Sequence, residues 1–150
     1  MPVTIPNVAP LTLKDIDLIF GELVAGVADY TNGVNYKKHV DQVELVPSSS
    51  TQSWTGLGGN THTDVSTATW AATIRYAQDW DTAASLSEYL FDHEGEHVPV
   101  KFQPRTGSGS TFEAVLVITP GSVGGQVNTL GAPTSVTLGC ESKPTRTPAA

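Results

Sequence analysis

Six stretches of this chain alternate apolar and other residues with a period of two, and that repeat constrains the fold more than any other feature of the sequence. Ile16, Leu18 and Phe20 alternate with Asp15, Asp17 and Ile19; Val43 and Leu45 alternate with Gln42 and Glu44 as far as Pro47. Trp70, Ala72, Ile74 and Tyr76 are set against Ala71, Thr73 and Arg75, and Val98, Val100 and Phe102 against His97, Pro99 and Lys101. Phe112, Ala114, Leu116 and Ile118 face away from Glu113, Val115 and Val117, and Val136, Leu138 and Cys140 from Ser135 and Thr137. Successive side chains of a strand point to opposite faces, so each stretch reads as a strand with one buried side. Six or seven strands and a single helical stretch predict a mostly β fold: two packed antiparallel sheets, as a sandwich or barrel, flanked by one α-helix. Val115 and Val117 make the strand over 111–119 apolar on both faces, as a central or interface-forming strand would be. Asn32-Gly33 reads as the turn between early strands.

The helix announces itself through its cap. Ser85-Leu86-Ser87-Glu88 has the spacing of a capping box, and Leu86, Tyr89 and Leu90 follow at helical intervals. Gly95 then stands where a left-handed C-terminal residue is expected. This placement bears on His93-Glu94-Gly95-Glu96-His97, which matches the H-E-x-x-H pattern of zinc peptidases. That chemistry needs both imidazoles on one face of an unbroken helix, with the Glu polarising a zinc-bound water. Here His93 closes a helix and His97 opens a strand, so the two rings have no common target.

Other catalytic patterns are thin. There is no Gly-x-Ser-x-Gly elbow, and Asp79 and Asp81, flanking Trp80, sit where acids favour a helix N-terminus. His39 and His62 show no ligand spacing. Gly107-Ser108-Gly109 lacks the Lys-Ser/Thr and following helix of a phosphate cradle and reads as a plain turn within Pro104 to Ser110. Trp54, Trp70 and Trp80 raise a carbohydrate-binding sandwich as an alternative, although an alternating strand around Trp70 and a helix start at Trp80 suit core packing.

A chain of 150 residues, 39% hydrophobic and 15% charged, is the size of one domain with a real core. The first twenty residues lack the pattern of a secretory signal, and no run is long enough for a membrane helix, so a cytoplasmic origin is expected. Cys140 is the only cysteine, which excludes an intrachain disulfide. A net charge of −7 argues against tight binding of DNA or anionic lipid, while remaining compatible with a surface past which DNA slides. Residues 1–12, with three prolines, and 141–150 read as arms outside a domain spanning 13–140. Within that domain the segment 48–69, rich in Ser, Thr and Gly, reads as a long loop that exposes Trp54 and Leu57.

Ala77-Gln78-Asp79-Trp80 leading into Ser85 to Asp92, then Gly95 and Val98-x-Val100-x-Phe102-x-Pro104, resembles the major tail proteins, or tail tube subunits, of long-tailed phages infecting actinobacteria. Asp29, Tyr30 and Val34, then Val43-x-Leu45-x-Pro47 with Trp54-x-Gly56, are similar to the same family in the same order. So are Pro120-Gly121-x-Val123-Gly124-Gly125 and Val136-Thr137-Leu138. The likeness covers roughly residues 13–140 and departs at the charge-dense segment Asp92 to His97. It implies a fold of two β-sheets and a helix, hexameric rings stacked into a hollow tube, and a lumen lined by strands from six subunits through which genomic DNA passes. It also implies a virion tail protein assembled in the host bacterial cytoplasm. Its partners would be itself, the tape measure, the tail terminator and the distal tail protein, with DNA only in transit, no membrane, no cofactor and no catalytic or metal site. A terminator ring of the same fold is the nearest alternative, and a small zinc hydrolase a remote one. On this reading Trp54, Leu57, Val115 and Val117 are candidate contacts between subunits or rings. Asp15, Asp17, Glu44 and Glu113, which face away from the local core, are candidates for the lumen.

Overall fold

A computed structural model of the chain describes residues 1–107 and 109–149. Ser108, in the Gly107-Ser108-Gly109 turn, and Ala150, at the end of the 141–150 tail, lie outside the described residues. In chain order the elements are β1 (Asp17–Val24), β2 (Val27–Asn35), β3 (Val40–Ser48), β4 (Thr51–Thr55), β5 (Thr61–Val65), β6 (Thr69–Tyr76), α1 (Leu86–Asp92), β7 (His97–Gln103), β8 (Thr111–Val117), β9 (Thr134–Gly139) and β10 (Thr145–Thr147). They form a five-stranded sheet in the order β10-β8-β7-β1-β2, a three-stranded sheet β3-β6-β9 and a separate two-stranded ribbon β4-β5. Every pairing between these strands is antiparallel.

The period of two does its expected work. Leu18 and Phe20 of β1, Val98, Val100 and Phe102 of β7 and Leu116 of β8 turn inward from the larger sheet. Val43, Ala72, Ile74, Tyr76, Val136 and Leu138 meet them from the smaller one. The helix adds Leu86 and Leu90, both fully buried. Its cap is half of the expected box: the Ser85 hydroxyl accepts from the Glu88 N–H at 3.4 Å and donates to the Asp79 carbonyl at 2.6 Å, while the Ser85 N–H donates to the Thr82 carbonyl. Gly95 takes φ +84° and gives its N–H to the Ile118 carbonyl, so the chain leaves the helix directly into the sandwich. Tyr36 joins the layers, packing edge-on against Phe20 at 5.4 Å and donating its hydroxyl to the Ala84 carbonyl before the helix.

Four strands were not legible in advance. The turn between β1 and β2 is Ala25-Gly26, with φ of +51° and +79° joining the Val24–Val27 pair, and not Asn32-Gly33. Two residues in the left-handed region are what a two-residue hairpin demands of its twist. Asn32-Gly33 instead lies inside β2, where the register jumps from Phe20–Val34 to Glu22–Asp29 and the four residues Tyr30–Gly33 bulge opposite Gly21. The Tyr30 ring folds over Gly21: a Cβ there would lie 2.7 Å from the ring and 2.6 Å from the Asp29 carbonyl.

Residues 141–147 are likewise not a free arm. After β9, Cys140 donates to the Trp70 carbonyl and bridges to Leu116, Glu141 donates to the Val115 carbonyl, and β10 then pairs with β8. One run of chain thus passes from the small sheet to the edge of the large one and stitches them together, with Pro144 buried at the crossing. Residues 1–12 do lie outside the regular elements and are exposed throughout.

The 119–133 connection is anchored on Gln78, whose backbone N–H donates to the Gly131 carbonyl at 2.9 Å. Gln78 donates to the Gly124 and Ala132 carbonyls, both at 2.7 Å, and accepts from the Gly124 N–H. Gly121 passes so close beneath Tyr76 that a Cβ would sit 2.2 Å from its hydroxyl.

Candidate assembly surface

The segment 48–69, expected as a long loop, is an ordered hairpin that continues β3 and β6 beyond the sandwich. Ser48 pairs with Thr69, Ser50 is bonded to Ser66, and β4 then pairs with β5 from Thr51–Val65 to Thr55–Thr61. The tip turns through Gly56 and Gly59, whose φ of +83° suits glycine, and the Gly56 N–H reaches the Asn60 carbonyl. Leu57 sits on this tip wholly in solvent, and Trp54 is 62% exposed.

The two faces of the hairpin differ. On one, Ser53 meets Thr63 and Thr55 meets Thr61 as hydroxyl pairs at 3.3 Å. On the other, the Trp54 indole stacks on His62, with centroids 5.8 Å apart and planes at 28°, beside the Gln52–Asp64 pair. Every residue of both strands is exposed, and the outer edge of each carries no strand among the described residues. Cross-strand pairs contribute only about 0.2–1 kcal/mol each, and a two-stranded ribbon alone is marginal in water. Hydrophobic periodicity missed these strands because Thr51, Ser53 and Thr55 alternate with Gln52 and Trp54, polar largely against polar. The readable signal was the Gly-Leu-Gly-Gly-Asn turn between two five-residue runs in which every second residue is Thr or Ser up to Thr63.

The four candidate acids do not share a surface. Asp17 and Glu113 project from the outer face of the five-stranded sheet: Asp17 lies opposite Gln103 and accepts from the Asn35 amide at 2.8 Å, and Glu113 lies opposite Lys101, its carboxylate 3.8 Å from the ammonium. The Lys101 amine also stands 5.1 Å over the Tyr30 ring. Burial first, and then the Glu113 charge, push the Tyr30 hydroxyl up to about 12. Glu44 lies on the outer face of the three-stranded sheet, opposite Thr73, and accepts from the Gln42 amide. Asp15 precedes β1 and pairs with Lys37 at 3.2 Å. A channel lined by one sheet therefore takes Asp17 with Glu113, or Glu44, but not all of them.

Val115 and Val117 are half-buried on the outer face of β8, opposite Pro99 and His97. The strand is interior to its sheet, flanked by β7 and β10, as its two apolar faces suggested. Trp70 and Trp80 correct the expectation of core packing: Trp70 is half-buried and lines an open groove, and Trp80 is 40% exposed, edge-on to Phe91.

The histidines of the zinc-like motif lie on different elements along one open groove that Glu96 also lines. His93 closes α1 and engages Glu96, while His97 opens β7 and engages Glu141. No group of three or more His, Cys, Asp or Glu side chains is placed to hold a metal ion among the described residues. Cys140 is half-buried, and that burial raises its thiol above the ordinary value, away from the thiolate a nucleophile needs. No helix is long and apolar enough to cross a membrane among the described residues. No protein-family model matches the chain, and no curated protein is significantly similar to it.

Proposed function

We propose that this chain is a structural subunit that polymerises, and specifically a tail tube protein whose hexameric rings stack into the conduit of a long-tailed phage. The observation that carries this reading is the β4–β5 hairpin: an ordered extension of the sandwich, exposed on every residue, that presents an indole and a leucine to solvent. A lone ribbon of this kind gains little by itself and gains much by covering its aromatic face against a second surface. The long edges β2 and β3 support the same reading, because an exposed strand edge is a hazard in a monomer and an assembly surface in a ring that closes by pairing. The net charge of −7 fits a channel that lets a polyanion pass without holding it. The ordered likeness of residues 13–140 to the tail tube family supplies the particular role, with the virion tail as location and the tape measure, terminator and distal tail proteins as neighbours. The work assigned to the subunit is mechanical and needs no catalytic group.

Negative-stain electron microscopy of the purified chain over a concentration series tests the proposal. Hollow filaments built from six-fold rings are expected. Single rings that never stack would point to a terminator, and a chain that stays monomeric at every concentration would sink the reading.

A further inference from the structure

The tube reading leaves open what receives the hairpin. A groove of about 500 Å³ opens where the two sheets part, walled by Val43, Leu45, Trp70, Phe102 and Phe112 and flanked by Leu11 and Leu13 of the N-terminal arm. Its lining is largely apolar, yet Lys143 and Arg146 stand on its rim, both exposed and neither in an ion pair among the described residues. Among the described residues the Arg146 guanidinium donates to the Ser110 hydroxyl at 3.3 Å, and the one acid on the border, Glu44, accepts from Gln42. Two of the chain's eight Lys and Arg residues thus edge an uncovered apolar trough in a protein of net charge −7, a placement that selects for an occupant both apolar and acidic.

The hairpin has that chemistry. Its only formal charge is Asp64, which projects from the same face as Trp54 and His62, because Gln52–Asp64 and Trp54–His62 are successive pairs on one side of the ribbon. The occupant cannot be the same copy's hairpin. Trp70, in the groove wall, pairs with Pro47 at the hairpin root, and six residues of extended chain carry Trp54 roughly 20 Å beyond Ser48, at about 3.3 Å per residue. We infer that the open groove between the sheets is the acceptor for the Trp54 face of a second copy's hairpin, with Asp64 set against Lys143 and Arg146. The contact is heterologous, each subunit giving a hairpin and receiving another, so it propagates instead of closing on a dimer. This inference rests on the tube reading and specifies its contact.

Charge reversal and cross-linking in the full-length chain test it. Lys143→Glu with Arg146→Glu, and separately Asp64→Lys, should each raise the concentration needed for assembly roughly tenfold or more, as loss of an interfacial charge partner does. Combining all three should restore assembly, which a merely misfolded variant would not do. In wild-type assemblies grown from equal parts of isotopically light and heavy protein, carbodiimide should couple Asp64 to Lys143 in mixed-isotope pairs. Wild-type tubes whose formation ignores Lys143→Glu with Arg146→Glu, or that lack the Asp64–Lys143 link, would overturn this acceptor alone. A wild-type chain that never assembles would remove the tube reading and the acceptor with it.

Discussion

The sandwich and the β4–β5 hairpin use the same antiparallel ladder and differ in what the ladder covers. In the sandwich, Leu18, Ile74, Leu116 and Leu138 vanish from solvent, and each strand is held by the face it hides. In the hairpin the pairs are in perfect register, yet nothing is buried, and the largest side chain stacks on a histidine in open water. Backbone pairing gives shape to both, but only the first has a reason to persist unaided. The contrast separates the part of the chain that hides a core from the part that hides nothing, and substitutions on either side of that division should differ in what they disturb.

The largest effect should come from the core. Ile74→Ala, at a fully buried central position, should cost about 2–5 kcal/mol in denaturant unfolding of the unassembled subunit. Gly21→Ala should cost about 1–3 kcal/mol, since its Cβ would press on both the Tyr30 ring and the Asp29 carbonyl of the β2 bulge. Ala25→Asn should instead stabilise by up to about 1 kcal/mol, because alanine at φ +51° is strained and Asn-Gly suits the two-residue turn. Trp54→Ala should move subunit stability least, by no more than about 0.5 kcal/mol, while abolishing or sharply shortening any tubes seen by microscopy.

Alkali should press on the core and spare the hairpin. Burial pushes Tyr36 and Tyr89 up to about 12 from an ordinary 10.0. The unfolded chain releases these protons first, so the stability present below about pH 10 is lost as pH rises through about 12. Circular dichroism and phenolate absorbance followed together should show the two tyrosines ionising with unfolding. Ionisation of both in a still-folded chain would contradict their place against Phe20 and one another.

What could be read from sequence follows the same division. Strands that bury one face write an apolar alternation, and so β1, β3, β6, β7, β8 and β9 were legible, as was a helix beginning at Ser85 and ending before Gly95. Strands stabilised by an edge or by nothing write no such pattern. β2 hides behind its bulge, β4 and β5 are polar on nearly every position, and β10 is three residues laid along β8. Asn32-Gly33 misled because a turn signal marks a local bend without saying whether the chain reverses or bulges there. Trp54 and Leu57 were legible as exposed side chains without a local core, whereas His62 and Asp64, which share the Trp54 face, became visible only with the register. Asp15, Asp17, Glu44 and Glu113 stand outside the core, but alternation is blind to which sheet a strand joins, and that decides which of them share a surface.

Hydrogen exchange of the hairpin amides, before and after assembly, tests the division most directly. In the dilute subunit, amides in 51–65 should exchange quickly while those of β6 stay protected, and in sedimentable assemblies the same hairpin amides should become protected. Hairpin amides already as slow as β6 in the isolated subunit, or still fast within assembled tubes, would contradict the claim that this ribbon is the element a second copy completes.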